Sequence, residues 1–200
     1  ENGYEVSFWM RSESKAEQLN RTRENSQYLP NYQLSERVVA TSDMAAAVKD
    51  SSLIFVAVPS SSFRQVVRDM VPHLAQSTVL VSTTKGIESG SFDLMTQILN
   101  QEAPNAKVGV LSGPNLAVEI AKKDLTGTVI ASPDEQVREL VKSALKSKYF
   151  RVYANNDMFG VELGGSLKNI YAIIAGIATA LGMGHNTNSM LVTRALTEMA

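Results

Sequence analysis

Two hundred residues with 44% hydrophobic and 20% charged content can bury a real core, as one large domain or as one domain and part of a second. A formal net charge of -1 leaves no electrostatic footprint for nucleic acid or an anionic membrane, so any phosphate recognition has to be local. The absence of cysteine excludes disulfides and thiolate chemistry, and the two histidines, His73 and His185, lie far apart without the carboxylate spacing of a metal site.

Taken in chain order, residues 4–9 alternate in the manner of a strand, and Ser12 is placed to cap a short helix through Asn20. A loop carrying Tyr28-Leu-Pro30 leads to a short strand at 38–40, after which Ser42 or Asp43 caps an alanine-rich helix. Residues 53–58 are continuously apolar, which predicts a central parallel strand covered on both faces. A helix over 61–70, a strand over 78–82, a helix after Ser89 and a strand over 108–111 follow. A helix after Pro114 and strands near 128–131 and 150–153 complete the alternation. Repeated strand, crossover and strand units predict an α/β, doubly wound, Rossmann-like sheet over residues 1–154. From about Asn156 the pattern is helical, so residues 155–200 are expected to begin an all-α domain. The run 170–183 is apolar but shorter than the roughly 20 residues that span a bilayer, and it reads as a buried core helix.

In open sheets of this kind ligands sit beyond the carboxyl ends of the strands. Arg11, just after the first strand, stands where such folds hold the adenosine ribose, and an arginine there leans towards a 2′-phosphate. Pro59 turns the chain after residues 53–58, and Lys85 follows the next strand in Ser82-Thr-Thr-Lys85-Gly86. Ser112-Gly-Pro-Asn115 follows another strand, with Pro114 suited to a first helical turn and free N–H groups able to receive an anion. The densest signal is Gly160-Val-Glu-Leu-Gly-Gly-Ser-Leu-Lys-Asn169. Here Val161, Gly164, Gly165, Lys168 and Ala172 share one helix face. Glycines inside a helix cost about 1 kcal/mol each relative to alanine, so a close approach by backbone or ligand is expected. Lys168 on that face is expected to be partly desolvated and able to exchange a proton near neutral pH.

Thr84-Lys85-Gly86-Ile-Glu88, Ser112-Gly-Pro114, Phe150-Arg-Val-Tyr153, the Gly160 to Asn169 run, Thr193-Arg194 and Glu198-Met199 together resemble NAD(P)-dependent glycerol-3-phosphate dehydrogenase of the bacterial type. The resemblance implies that Lys168 is the catalytic acid/base, that Asn169 orients substrate, and that Lys85 contacts cofactor and glycerol phosphate. It implies substrate contacts from Gly113 and Asn115, and cofactor contacts from Arg11, Tyr28, Pro59, Lys85 and Ala117. Asn115 departs from the serine or threonine common in bacterial relatives, though an amide makes similar hydrogen bonds. NADP or NAD is the implied cofactor, with NADPH favoured by Arg11. The implied setting is a cytoplasmic homodimer that binds a small-molecule phosphate, without nucleic acid or membrane insertion, and feeds phospholipid synthesis.

Lys85 and Lys168 are expected to converge on one crevice. The resemblance also predicts that the first strand with its glycine-rich pyrophosphate loop precedes this chain and that further helices follow it. Two competing readings are a related hydroxyacid or ketopantoate-type dehydrogenase and an idle nucleotide-sensing module, since fold never fixes function.

Overall fold

The computed structural model describes residues 2–199. Strand β1 (Val6–Trp9) leads through helix α1 (Glu13–Thr22) to β2 (Val38–Thr41), and the strands pair in parallel with Val6 opposite Val38. Ser12 caps α1 as expected, its hydroxyl accepting the Lys15 N–H at 3.4 Å. The helix buries Ala16 and Leu19 against Ala40 of β2. Of the two candidate caps for α2 (Met44–Val48), Asp43 serves, accepting the Ala46 N–H at 3.1 Å.

The main sheet begins with β3 (Leu53–Val56), followed by α3 (Ser60–Met70), a 3-10 turn at Val71–His73 and β4 (Val79–Ser82). Then come α4 (Met95–Glu102), β5 (Lys107–Ser112), α5 (Ala117–Ala121), β6 (Thr126–Ala131), α6 (Glu135–Leu145) and β7 (Phe150–Asn155). Two helices close the described chain, α7 (Met158–Ala180) and α8 (His185–Met199).

Period-2 alternation in β4 explains how the layers are built. Leu80 points to a core with Phe63 and Val67 of α3 and Met95 and Ile98 of α4, whereas Val79 and Val81 point to the opposite core with Ile130, Val137 and Val141. The result is the expected α/β class, a parallel-dominated, Rossmann-like sheet with helices on both faces, followed by helices alone.

Several expectations are corrected. The strands form two hydrogen-bonded sheets among the described residues, β1-β2 and β3-β4-β5-β6-β7, and β6 runs antiparallel to β5 with Leu111 opposite Ile130. Helix α2 packs on β1 and on α3, bridging the two sheets. Among the described residues, 53–58 supply an edge strand, not a central one. Leu53, Ile54 and Phe55 are half-buried, and β4, buried at every residue, takes the interior position. An apolar run reports what a strand tolerates, not its rank in the sheet. Helix α4 starts at Met95 because residues 88–93 are turned, and Pro114 stands ahead of α5 instead of in its first turn.

The expectation that 170–183 is buried also fails. Ile170, Ile173, Ile174, Ile177 and Leu181 are 43% to 70% exposed. The run is apolar around its whole circumference, and its main neighbour is a single helix, α8, which covers one strip.

Candidate active site

The carboxyl ends of β3, β4 and β5 are drawn together by their loops. Past β4, the Thr83 N–H donates to the Val56 carbonyl at 3.0 Å and the Thr84 hydroxyl donates to the Val58 carbonyl at 2.8 Å, pinning this loop to the end of β3. Gly86 has φ +147°, and a Cβ there would come within 2.8 Å of Ser60 Cβ at the start of α3, so glycine is required twice over. Lys85 is thereby held half-buried. Burial pushes its ammonium below the ordinary lysine value, and the charge of Lys168 adds to that push. Pro59, exposed, is the residue just before α3.

Helix α7 crosses these loops. Asp157 caps it, accepting the Gly160 N–H at 2.8 Å. The next turns carry three contacts. Glu162 is 3% exposed and accepts the Thr96 N–H at 3.1 Å together with the Thr96 hydroxyl. Gly165 lies so close to the 112–115 turn that a Cβ would land on the Ser112 hydroxyl. Ser166 Oγ accepts the Gly86 N–H at 3.1 Å, joining α7 directly to the Lys85 loop.

Two expectations for this helix change. Gly165 makes the close approach predicted for the pair, but Gly164 faces open space, with nothing near its missing side chain. Lys168 is exposed, not desolvated among glycines, because it lies beyond the turn that covers Gly165. It borders a cavity of about 190 Å³ between α7 and α8, lined also by Tyr171, Ala175, Leu191, Ala195 and Met199. Lys168 is close enough for its charge to reach Lys85. Lys85 is not among the residues that line this cavity. Asn169, next to Lys168, is exposed.

The Ser112-Gly-Pro-Asn115 turn is fixed by Thr128 of β6. The Asn115 amide donates to Thr128 Oγ1 at 3.0 Å, and the Thr128 hydroxyl donates to the Ser112 carbonyl at 3.1 Å. A Cβ at Gly113 would sit 3.0 Å from the Gly127 carbonyl oxygen. Asn115 Oδ1 is buried without a hydrogen-bond partner, an acceptor that a donor on a small molecule would satisfy. Ala117 opens α5 and is exposed.

Arg11 and Tyr28 are not brought to the lysines. Arg11 is exposed just past β1, where the Met10 N–H donates to the Thr41 carbonyl at 2.8 Å, and Tyr28 is 69% exposed in a turn after α1. Both lie in the segments that connect β1, α1 and β2.

Sequence reasoning missed two groups that hold the site together. One is the Glu162–Thr96 contact, whose only signal was that Glu162 is the single acid of α7. The other centres on Arg64 of α3, which contacts Glu88 at 2.6 Å, Asp93 at 3.0 Å and Glu102 at 2.6 Å. The Arg64 hydrogen bonds, helped by Ser91, lower the Glu88 pKa to about 2. Charges this far apart in sequence carry no local spacing to betray them.

The profile described as "NAD-dependent glycerol-3-phosphate dehydrogenase N-terminus" matches residues 1–138, and its C-terminus counterpart matches residues 157–200. Over 99% of its length the chain is 52% identical to glycerol-3-phosphate dehydrogenase [NAD(P)+] of Teredinibacter turnerae, and over 100% it is 55% identical to that of Pseudomonas syringae pv. tomato. It spans 58% of the length of each. The crystal structure of glycerol-3-phosphate dehydrogenase from Coxiella burnetii superposes with a TM-score of 0.90 at 36% identity, covering 98% of this chain and 60% of that one.

Proposed function

The chain belongs to the NAD-dependent glycerol-3-phosphate dehydrogenase family, and from that premise we propose that it reduces dihydroxyacetone phosphate to sn-glycerol 3-phosphate with NADPH or NADH. The observation that carries this reading is geometric: α7 is bonded to the Lys85 loop through the Gly86 N–H and Ser166 Oγ at 3.1 Å, which brings Lys168, two residues past Ser166, near the half-buried Lys85 on the sheet's carboxyl edge. Two amines so arranged suit a substrate that carries both a phosphate and a carbonyl oxygen that gains negative charge.

The residues present fit a nicotinamide dinucleotide. Arg11 is exposed at the end of β1, and no hydrogen bond or ion pair engages it among the described residues. Pro59 and Ala117 are exposed after the ends of β3 and β5. Arg11, Tyr28, Pro59, Lys85 and Ala117 would hold it, and it would supply the hydride. Lys168 donates the proton that the C2 oxygen needs as it becomes an alcohol, and takes that proton back in the reverse direction. Lys85 holds the substrate phosphate side and keeps positive charge near the developing alkoxide. Asn169 and Asn115 orient the substrate by hydrogen bonds, and Gly113 lets it approach the backbone. We assign residues 1–154 to the dinucleotide half and 155–200 to the start of the substrate half. The proposed setting is a cytoplasmic homodimer supplying phospholipid synthesis.

The full-length protein should reduce dihydroxyacetone phosphate, and removing the phosphate from the ketone should abolish the rate. Turnover of an unphosphorylated keto acid instead would favour the ketopantoate-type reading, and nucleotide binding without turnover would favour a sensing module. Lys168→Ala should lower kcat about a hundredfold or more, whereas Lys85→Ala should raise KM for the ketone as well. An unchanged KM in the second variant counts against the assignment of Lys85.

A further inference from the structure

Glu162 is buried yet plays no part in the chemistry above. Its carboxylate lies against the N-terminus of α4, where the first N–H groups of a helix have no partner of their own, and it accepts the Thr96 N–H at 3.1 Å and 3.4 Å and the Thr96 hydroxyl as well. A negative group at that end also meets the favourable end of the helix dipole. Burying a carboxylate is unfavourable, and apolar residues of similar volume often stabilise such positions better. What an apolar residue cannot supply is direction. Hydrogen bonds to one amide and one hydroxyl fix the rotation of α7 about its axis, whereas hydrophobic contacts let a helix slide and roll.

One turn later Ser166 continues the arrangement, receiving the Gly86 N–H at 3.1 Å and donating to the Glu162 carbonyl at 3.2 Å. Lys168 follows along the same rigid helix, about 9 Å from Glu162 along the axis. A roll of about 20° at Glu162 would swing a lysine amine by about 3 Å, given the helix radius and the length of the side chain. Misplacement by about 1 Å is enough to cost about a hundredfold in rate.

We propose that Glu162 is a positioning residue, which by capping α4 through Thr96 sets the rotation of α7 and so the place of Lys168 relative to the Lys85 loop. The role in turnover rests on the dehydrogenase reading given above, but the mechanical link does not. Burial raises the Glu162 carboxylate above its ordinary pKa while the Thr96 bonds pull it back, as expected of a group kept for its geometry.

The test uses the full-length enzyme with Thr96→Val, which keeps volume but loses the hydroxyl donor, and Thr96→Ser, which retains it. Thr96→Val should lower kcat for the ketone about tenfold while KM for NADPH stays within about twofold, and Thr96→Ser should recover most of the loss. Hydrogen exchange gives a readout independent of activity: the Gly86 amide should exchange about fivefold faster in Thr96→Val, with Ile130 of β6 unchanged. Should Thr96→Val not fold, Glu162→Gln takes its place in both measurements. An unaltered Gly86 amide in a folded variant overturns the proposal, as does a Thr96→Ser enzyme as slow as Thr96→Val. A wild type that reduces no ketone with either coenzyme removes the dehydrogenase reading, and the exchange result alone then decides the link.

Discussion

Along α7, residues 158–166 and residues 170–180 are held in different ways. The first stretch meets α4 through Glu162, the 112–115 turn through Gly165 and the Lys85 loop through Ser166. The second has α8 as its main neighbour and leaves Ile170, Ile173, Ile174 and Ile177 exposed. The more hydrophobic half is thus the less buried one. A few directional bonds and one missing side chain give the first stretch defined partners, whereas apolar surface is buried only where a matching surface exists to receive it.

The largest expected effect separates two adjacent glycines. Gly165→Val drives methyl groups into Ser112 and should cost about a hundredfold or more in turnover, while Gly164→Val, facing open space, should remain within about fivefold. Equal losses in steady-state assays would mean that the close approach does not position the helix. Next in size is Arg64→Met, which leaves Glu88, Asp93 and Glu102 facing one another and should lower the melting temperature by about 5 °C. The sign of its pH dependence follows from Glu88. With its folded pKa depressed to about 2, its contribution is present above the ordinary carboxylate range and is lost as pH falls through that range towards the folded value. The stability gap between wild type and Arg64→Met should therefore narrow on acidification, as followed by thermal melts from pH 7 down to about 3. The smallest effect belongs to the open half of α7. Ile173→Thr removes part of a side chain that is 64% exposed and should change stability by no more than about 0.5 kcal/mol. A much larger loss in the full-length protein would show that this face is covered there.

The same contrast explains what could be read in advance. Strands β4 and β5, the cap at Ser12, a cap at Ser42 or Asp43 and a close approach at the Gly164-Gly165 pair were legible because each depends on a few neighbouring residues. Placing Lys85 on a loop at the sheet's carboxyl edge needed only the alternation of strands and helices, and placing Lys168 on a helix needed only the run around it. Local sequence could not say that β3 lies at an edge or that Ile173 faces outward, since both depend on what packs alongside. Nor could it pair Glu162 with Thr96 or Arg64 with three distant carboxylates, which meet only after the chain has folded. The expected burial of Lys168 failed for a similar reason: a shared face places residues on one side of a helix but does not say how far along it the cover extends.

Helix α4 is bolted at both ends. At its start Thr96 is gripped from α7, and at its finish Glu102 is joined through Arg64 to Glu88, three residues past Lys85. Both amine-bearing segments are thus referenced to one short rod. A shift of that rod should therefore move both positive charges together, favouring their spacing over the location of either.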